Sequence, residues 1–267
     1  PDSEPGYVKV AVEANGVSRA YGFSDRKIAT AAHDLRLFRN GQMVGYAEGK
    51  LAEVGGKPFQ RTFRVRLPSG QEPLNFTAYA FNDDRVKSAT AQQSYTPPTA
   101  VAIGKPRAYL ITVGVNRHDN PAWNLRYAAN DARQISQSLA PLLENQKSYE
   151  EVVTIPLISD TDGPNLATKA NIKAVLDVLS GRKADVSAIP DGDKLRQATP
   201  DDLVLISFAG HGFGEGGLFY LVPSDTGAGS GRDITPELTT RAISSDELSA
   251  WLRDVDAGNM AMIVDAC

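Results

Sequence analysis

Two side chains in this sequence have the chemistry for nucleophilic catalysis, and they stand at the ends of similar runs. Cys267, the one cysteine, closes the apolar run Met260-Ala261-Met262-Ile263-Val264-Asp265-Ala266. His211, one of three histidines, follows Leu203-Val204-Leu205-Ile206-Ser207-Phe208-Ala209-Gly210. A thiol attacks a carbonyl as its thiolate, and a nearby imidazole is the base that generates the thiolate near neutral pH. Short apolar runs bounded by turn or polar residues read as buried strands of a parallel sheet, where chemistry gathers at the carboxyl ends. The pattern therefore predicts His211 and Cys267 at one sheet edge, as base and nucleophile.

Ser207-Phe208-Ala209-Gly210-His211-Gly212, followed by Ile263-Val264-Asp265-Ala266-Cys267, resembles the caspase-like cysteine peptidases, in their bacterial and metacaspase branch. The spacing of the two residues is close to the roughly 50 residues between His and Cys in caspases. Leu125-Arg126-Tyr127-Ala128-Ala129-Asn130-Asp131-Ala132 is similar to the stretch that opens the first helix of that family, so the likeness covers residues 107–267. Two positions depart from it. Animal caspases have Gln-Ala-Cys where this chain has Asp265-Ala266-Cys267, and metacaspases commonly carry Ser where this chain has Ala209.

The resemblance implies His211 as general base, Cys267 as nucleophile, and the backbone N–H groups of Gly212 and Cys267 as an oxyanion hole. It also implies that Asp131 and Asp265 line an acidic S1 pocket for Arg or Lys, since a carboxylate pair suits a guanidinium fork. Strand alternation points Asp265 and Cys267 to the same face. Read without the resemblance, Asp131 is a favourable first-turn helix charge and Asp265 a hydrogen-bond acceptor. The implied activity is that of a cysteine endopeptidase cleaving protein or peptide substrates after basic residues. The implied fold continues past Cys267 into a C-terminal, small-subunit part. The alternative is a catalytically inactive scaffold of the same fold that serves as an interaction module. A small-ligand-binding α/β protein has little support, because Gly114-Val115-Asn116 does not match a glycine-rich phosphate loop and Gly214-Glu215-Gly216-Gly217 reads as a flexible loop.

No metal and no other cofactor is expected. Asp225, Asp246 and Glu247 are the candidates for a calcium site, but a hard cation wants 6–8 oxygens and Glu247 fits a helix cap better. His118-Asp119 and His33-Asp34 lack metal-ligand spacing and read as solvent-exposed histidines. With 28 basic against 32 acidic residues, a net charge of −4 and no basic run, nucleic acid and anionic membrane surfaces lack electrostatic support as partners. No apolar stretch approaches a membrane span and no signal peptide opens the chain. The chain begins with Pro1 rather than Met, which suggests that an upstream segment was removed or omitted. A lone cysteine suits a reducing compartment without excluding export.

These residues need elements to hold them. The first hundred residues alternate at a period near two, with Asn40-Gly41 and Ser69-Gly70 as turns, which predicts a small immunoglobulin-like β-sandwich over 1–97. Pro97 and Pro98 open a linker over 98–106. Over 107–267 the texture becomes strand, helix, strand, helix: the expectation is a caspase-like α/β domain, a mostly parallel sheet with helices on both faces. A helix starting near Ala128 is expected to be disturbed at Pro141, and Ser244 with Glu247 predicts a capping box. Segments 182–202 and 212–241 read as long polar loops. Their basic residues Arg182, Lys183, Lys194, Arg196, Arg232 and Arg241 suggest self-processing.

Overall fold

A computed structural model describes residues 4–20, 27–102, 104–227 and 231–266, and divides the chain into two compact units, Pro1–Gly104 and Lys105–Cys267. The first unit is built of strands β1 (Tyr7–Ala14), β2 (Val17–Ala20), β3 (Lys27–Thr30), β4 (Ala32–Arg39), β5 (Gln42–Ala52), β6 (Phe59–Arg66), β7 (Leu74–Phe81) and β8 (Ala91–Tyr95). They pair antiparallel as β1–β6, as β2–β3, and as a four-stranded sheet in the order β5-β4-β7-β8. Alternate residues Leu35 and Leu37 of β4, Phe63 and Val65 of β6, and Leu74 and Phe76 of β7 meet in one apolar core. That alternation is what a sheet with one wet and one dry face requires.

The second unit holds β9 (Arg107–Val115), α1 (Ala128–Asn145), β10 (Glu151–Ser159), α2 (Lys169–Leu179), β11 (Leu203–Glu215), β12 (Leu218–Val222), α3 (Pro236–Arg241), β13 (Ile243–Ser244), α4 (Ser245–Arg253) and β14 (Asn259–Ala266). β10, β9, β11 and β14 run parallel, and β12 and β13 join antiparallel. One face of the sheet, carrying Ile111, Val113, Ile155, Leu157, Ile206 and Phe208, packs on α2 and α4 to form the main core. The opposite face passes through Gly114. A side chain there would meet the Ala128 carbonyl oxygen at 2.7 Å, the Ala129 Cα at 2.8 Å and the Ala132 Cβ at 2.8 Å, so glycine lets α1 lie directly on β9.

The expected fold class is corrected by this architecture. Strands make up 41% and helices 20% of the structure, in several mixed and antiparallel sheets that do not close, too few helices for a caspase-like α/β sandwich. The physical reason begins at the end of β11. A parallel sheet needs a crossover of a dozen or more residues at this point, but Gly216 and Gly217, at φ 58° and 80°, turn the chain back at once so that Glu215 faces Leu218. Two successive positive φ values are those of a type I′ hairpin, whose twist matches its strands. The supposed flexible loop is a hairpin turn, and the sheet becomes mixed. On the face opposite the main core, α1 covers β9, while β14 leaves Ala261 and Ile263 exposed. The immunoglobulin-like sandwich is likewise replaced, by three separate antiparallel sheets. α1 also runs through Pro141 to Asn145.

Gly114 supplies a direct test of how α1 is seated. Gly114→Ala drives a methyl group into helix backbone and is expected to cost about 1–3 kcal/mol, read as a lowered urea midpoint. Gly104→Ala, whose methyl group would meet nothing within 4 Å, is expected to change stability by no more than about 0.5 kcal/mol.

Candidate active site

His211 sits where β11 exchanges one set of neighbours for another. Residues through Ala209 pair with β9 and through Gly210 with β14, and from His211 onward the partner is β12. The ring is half-buried, packed edge-on to Trp123 at 5.2 Å between centroids and tilted against His118 at 5.6 Å. Its Nε2 lies 2.9 Å from the Trp123 carbonyl oxygen. A carbonyl only accepts, so Nε2 carries the proton, and in the neutral ring Nδ1 keeps the lone pair. Burial pulls the His211 pKa below its usual value; the Trp123 carbonyl opposes this and Arg232 adds to it. The neutral, proton-accepting form is thereby favoured near pH 7.

The Trp123 carbonyl is held by a segment whose polar groups are almost fully used. Asn120 caps the short 3₁₀ turn Pro121–Trp123, accepting from the Ala122 N–H at 3.0 Å. Its amide reaches the Gly231 carbonyl at 2.8 Å, and the Asp119 N–H reaches Ser224 at 2.9 Å. The Trp123 ring is buried with Val222 and Leu238. Just upstream, Asn116 accepts from the Ala129 N–H at 3.1 Å. It thus supplies, from the end of β9, the cap that Tyr127 does not give α1.

The remaining expected site residues are distributed as follows. Cys267 lies outside the described residues. Ala266, to which it is bonded, stands opposite Gly210. Gly212 is buried, and a Cβ there would lie 2.6 Å from the Phe219 ring and 3.2 Å from the Ala266 Cβ, so Gly212 and the end of β14 are adjacent. Gly114, Ala209 and Asp265 form one row across β9, β11 and β14, which sets Asp265, exposed, on the α1 face. Two strand spacings, about 10 Å, separate the ends of that row. Asp131 is half-buried in the first turn of α1, above the Gly114 end. Among the described residues neither carboxylate has a hydrogen-bond or ion-pair partner.

Other expectations change. His118 is not exposed: it retains 4% of its accessible surface, and neither ring nitrogen closes a hydrogen bond among the described residues. His33 is paired with Asp83 at 2.8 Å. The calcium candidates do not converge, for Asp225 accepts the Lys169 N–H at 2.9 Å while Glu247 closes the Ser244 capping box and pairs with the Lys169 ammonium at 2.7 Å. Among the described residues no three His, Cys, Asp or Glu side chains cluster as a metal site. Segment 182–202 is packed through Ile189, Leu195 and Ala198, with Arg182 held by Asp177 and Asp254. No helix is long and apolar enough to cross a membrane among the described residues. Trp123 and His118 escaped the sequence reading, the first because a backbone carbonyl has no residue signature, the second because burial does not follow from one isolated His-Asp pair. No protein-family model matches the chain, and no curated protein matches it.

His118 makes the unit acid-sensitive. Burial, with the neighbouring His211 adding to it and the Val222 backbone opposing, pushes His118 down to about 4, against about 6.5 in an unfolded chain. Between those values the unfolded chain binds more protons, so stability is complete above about pH 6.5 and falls as pH drops toward 4. The expected loss is about 3 kcal/mol. Urea unfolding of wild type beside His118→Phe, measured from pH 7 to pH 4, checks it: the difference between the two proteins, in which the carboxylates cancel, should show this fall.

Proposed function

We propose that this protein is a cysteine endopeptidase in which His211 is the general base and Cys267 the nucleophile. The observation that carries the reading is the hydrogen bond from His211 Nε2 to the Trp123 carbonyl, which leaves Nδ1 as the basic nitrogen of a half-buried, neutral-favouring ring. The adjacency of Gly212 and Ala266 supports it, because the Gly212 N–H and the residue after Ala266 are the groups an oxyanion hole would draw on. In the reaction, Nδ1 takes the thiol proton, the thiolate adds to the scissile carbonyl, and the proton passes to the leaving amine as the acyl-enzyme forms. Water then attacks that acyl group and releases the thiol.

The substrate preference is for Arg or Lys on the acyl side of the cleaved bond. Two unpartnered carboxylates, Asp131 and Asp265, on one face of the same sheet edge support this, since a guanidinium satisfies both where a carboxylate would be repelled. The motif likeness to caspase-like peptidases agrees with the chemistry, and a small-subunit part following Cys267 is the proposed partner. A second reading, an inactive interaction module, is favoured by the edge strand β14, which leaves Ile263 and Val264 44% and 45% exposed.

A peptide electrophile ending in Arg decides between them on the full-length polypeptide. The peptidase is expected to be modified at Cys267 by the Arg probe and not by its Asp counterpart, and His211→Ala is expected to abolish the reaction. Asp265→Ala should slow Arg-probe labelling by about 10- to 100-fold, the worth of a charge-assisted contact of about 1.5–3 kcal/mol, with its melting temperature kept. Preference for the Asp probe contradicts the pocket, and an unreactive Cys267 favours the interaction module.

A further inference from the structure

A buried imidazole without hydrogen bonds is costly, because each unsatisfied polar atom loses its hydration for nothing in return. His118 is such a residue: 4% exposed, neither ring nitrogen closes a hydrogen bond of good geometry among the described residues, with only the Val222 backbone near enough to favour its charged form, and it packs against His211 with ring centroids 5.6 Å apart. We propose that His118 and His211 form a two-imidazole site for a first-row transition dication such as zinc, bound between His211 Nδ1 and a ring nitrogen of His118.

Three features support this. Two imidazoles that share one zinc at about 2.0–2.1 Å in tetrahedral geometry have centroids about 5 Å apart, within a small side-chain adjustment of the distance here. Metal-bound histidines characteristically donate their other ring N–H to a carbonyl or carboxylate, and His211 already donates Nε2–H to Trp123. A metal ligand must be a neutral imidazole, and the burial of both rings favours that form. Asp225 and Glu247, engaged elsewhere as described, do not compete for the ion. Arg232 is the opposing influence: its guanidinium, bound to the Ala122 carbonyl at 2.5 Å, acts electrostatically on His211, so the site is expected to bind reversibly rather than as a permanent structural centre. Zinc on Nδ1 removes the lone pair that His211 would use as a base. The inference thus rests on the proposed dyad only for its consequence, which is reversible inhibition.

The test is titration of the full-length polypeptide with zinc by calorimetry and with cobalt(II) by visible absorption. The expected result is one equivalent bound, with cobalt(II) ligand-field bands altered from those of the hydrated ion by imidazole ligation. Affinity should weaken at least about tenfold in His118→Phe and in His118→Gln, each shown folded by circular dichroism. Absence of those altered bands overturns the site, and so does zinc binding that persists unchanged in either variant. If neither variant folds, the cobalt spectrum of wild type decides alone. Labelling of Cys267 by the Arg probe, run without metal on the same protein, separates the two claims. Labelling without metal binding overturns the metal site only, whereas metal binding without labelling overturns the peptidase reading and leaves the imidazole pair standing.

Discussion

β11 runs farther than its parallel neighbours, and a strand that outlives its partners must find others for its N–H and C=O groups or leave them unpaired. β9 accompanies it to Ala209 and β14 to Gly210; the hairpin closed by Gly216 and Gly217 then returns β12 alongside residues from His211 to Glu215. The exchange occurs at the Gly210-His211 step. His211 therefore stands at the carboxyl edge of the parallel sheet on backbone paired with β12, a firmer support than a loop would provide. The same hairpin makes the sheet mixed and moves the fold away from a helix-covered parallel one.

The electrostatics of the site follow from how this edge is roofed. The segment between β9 and α1 could have been a mobile connection, yet Asn116, Asn120 and Asn124 spend their side-chain amides on backbone groups within and around it. That fixes the Trp123 carbonyl against His211 Nε2 and the Trp123 ring against its flank. Burial by Trp123 and His118 works against the charged imidazolium, while the carbonyl works for it, and burial is the larger effect. The outcome is a ring whose tautomer is determined by one backbone atom and whose basicity is set by its walls. Asp131 lies in the first turn of α1, which is seated at Gly114, and Asp265 is exposed on β14; among the described residues neither carboxylate has a partner.

Much of this was readable from local pattern. The alternating runs mark the strands of the first unit, the apolar runs at Leu203 and Met260 mark β11 and β14, and Ser244 with Glu247 marks the start of α4 by a capping box that the structure contains. What was not readable is long-range. The end of β11 looked like a glycine-rich loop because two adjacent glycines signal a hairpin only when a strand such as Leu218-Phe219-Tyr220-Leu221-Val222 pairs behind them. Pro141 was expected to disturb the last turn, yet α1 continues past it to Asn145, since exposed positions near a helix terminus lose little to one missing N–H. His118 looked exposed because its burial depends on β11 and β12, which lie elsewhere in the sequence. The helix content that would have made the second unit a two-faced sandwich is missing for the same reason: segment 182–202 packs by side chains, and the described part of 212–241 holds a hairpin and the short α3.

The central claim is that a backbone carbonyl determines which nitrogen of His211 is basic. Nitrogen-15 NMR of histidine-labelled protein near pH 7 tests it most directly, since protonated and unprotonated ring nitrogens resonate far apart. The account predicts that His211 Nε2 carries the proton and couples to it, with Nδ1 at the shift of an unprotonated nitrogen. A His211 ring protonated at Nδ1, or averaged between the two tautomers, would contradict it.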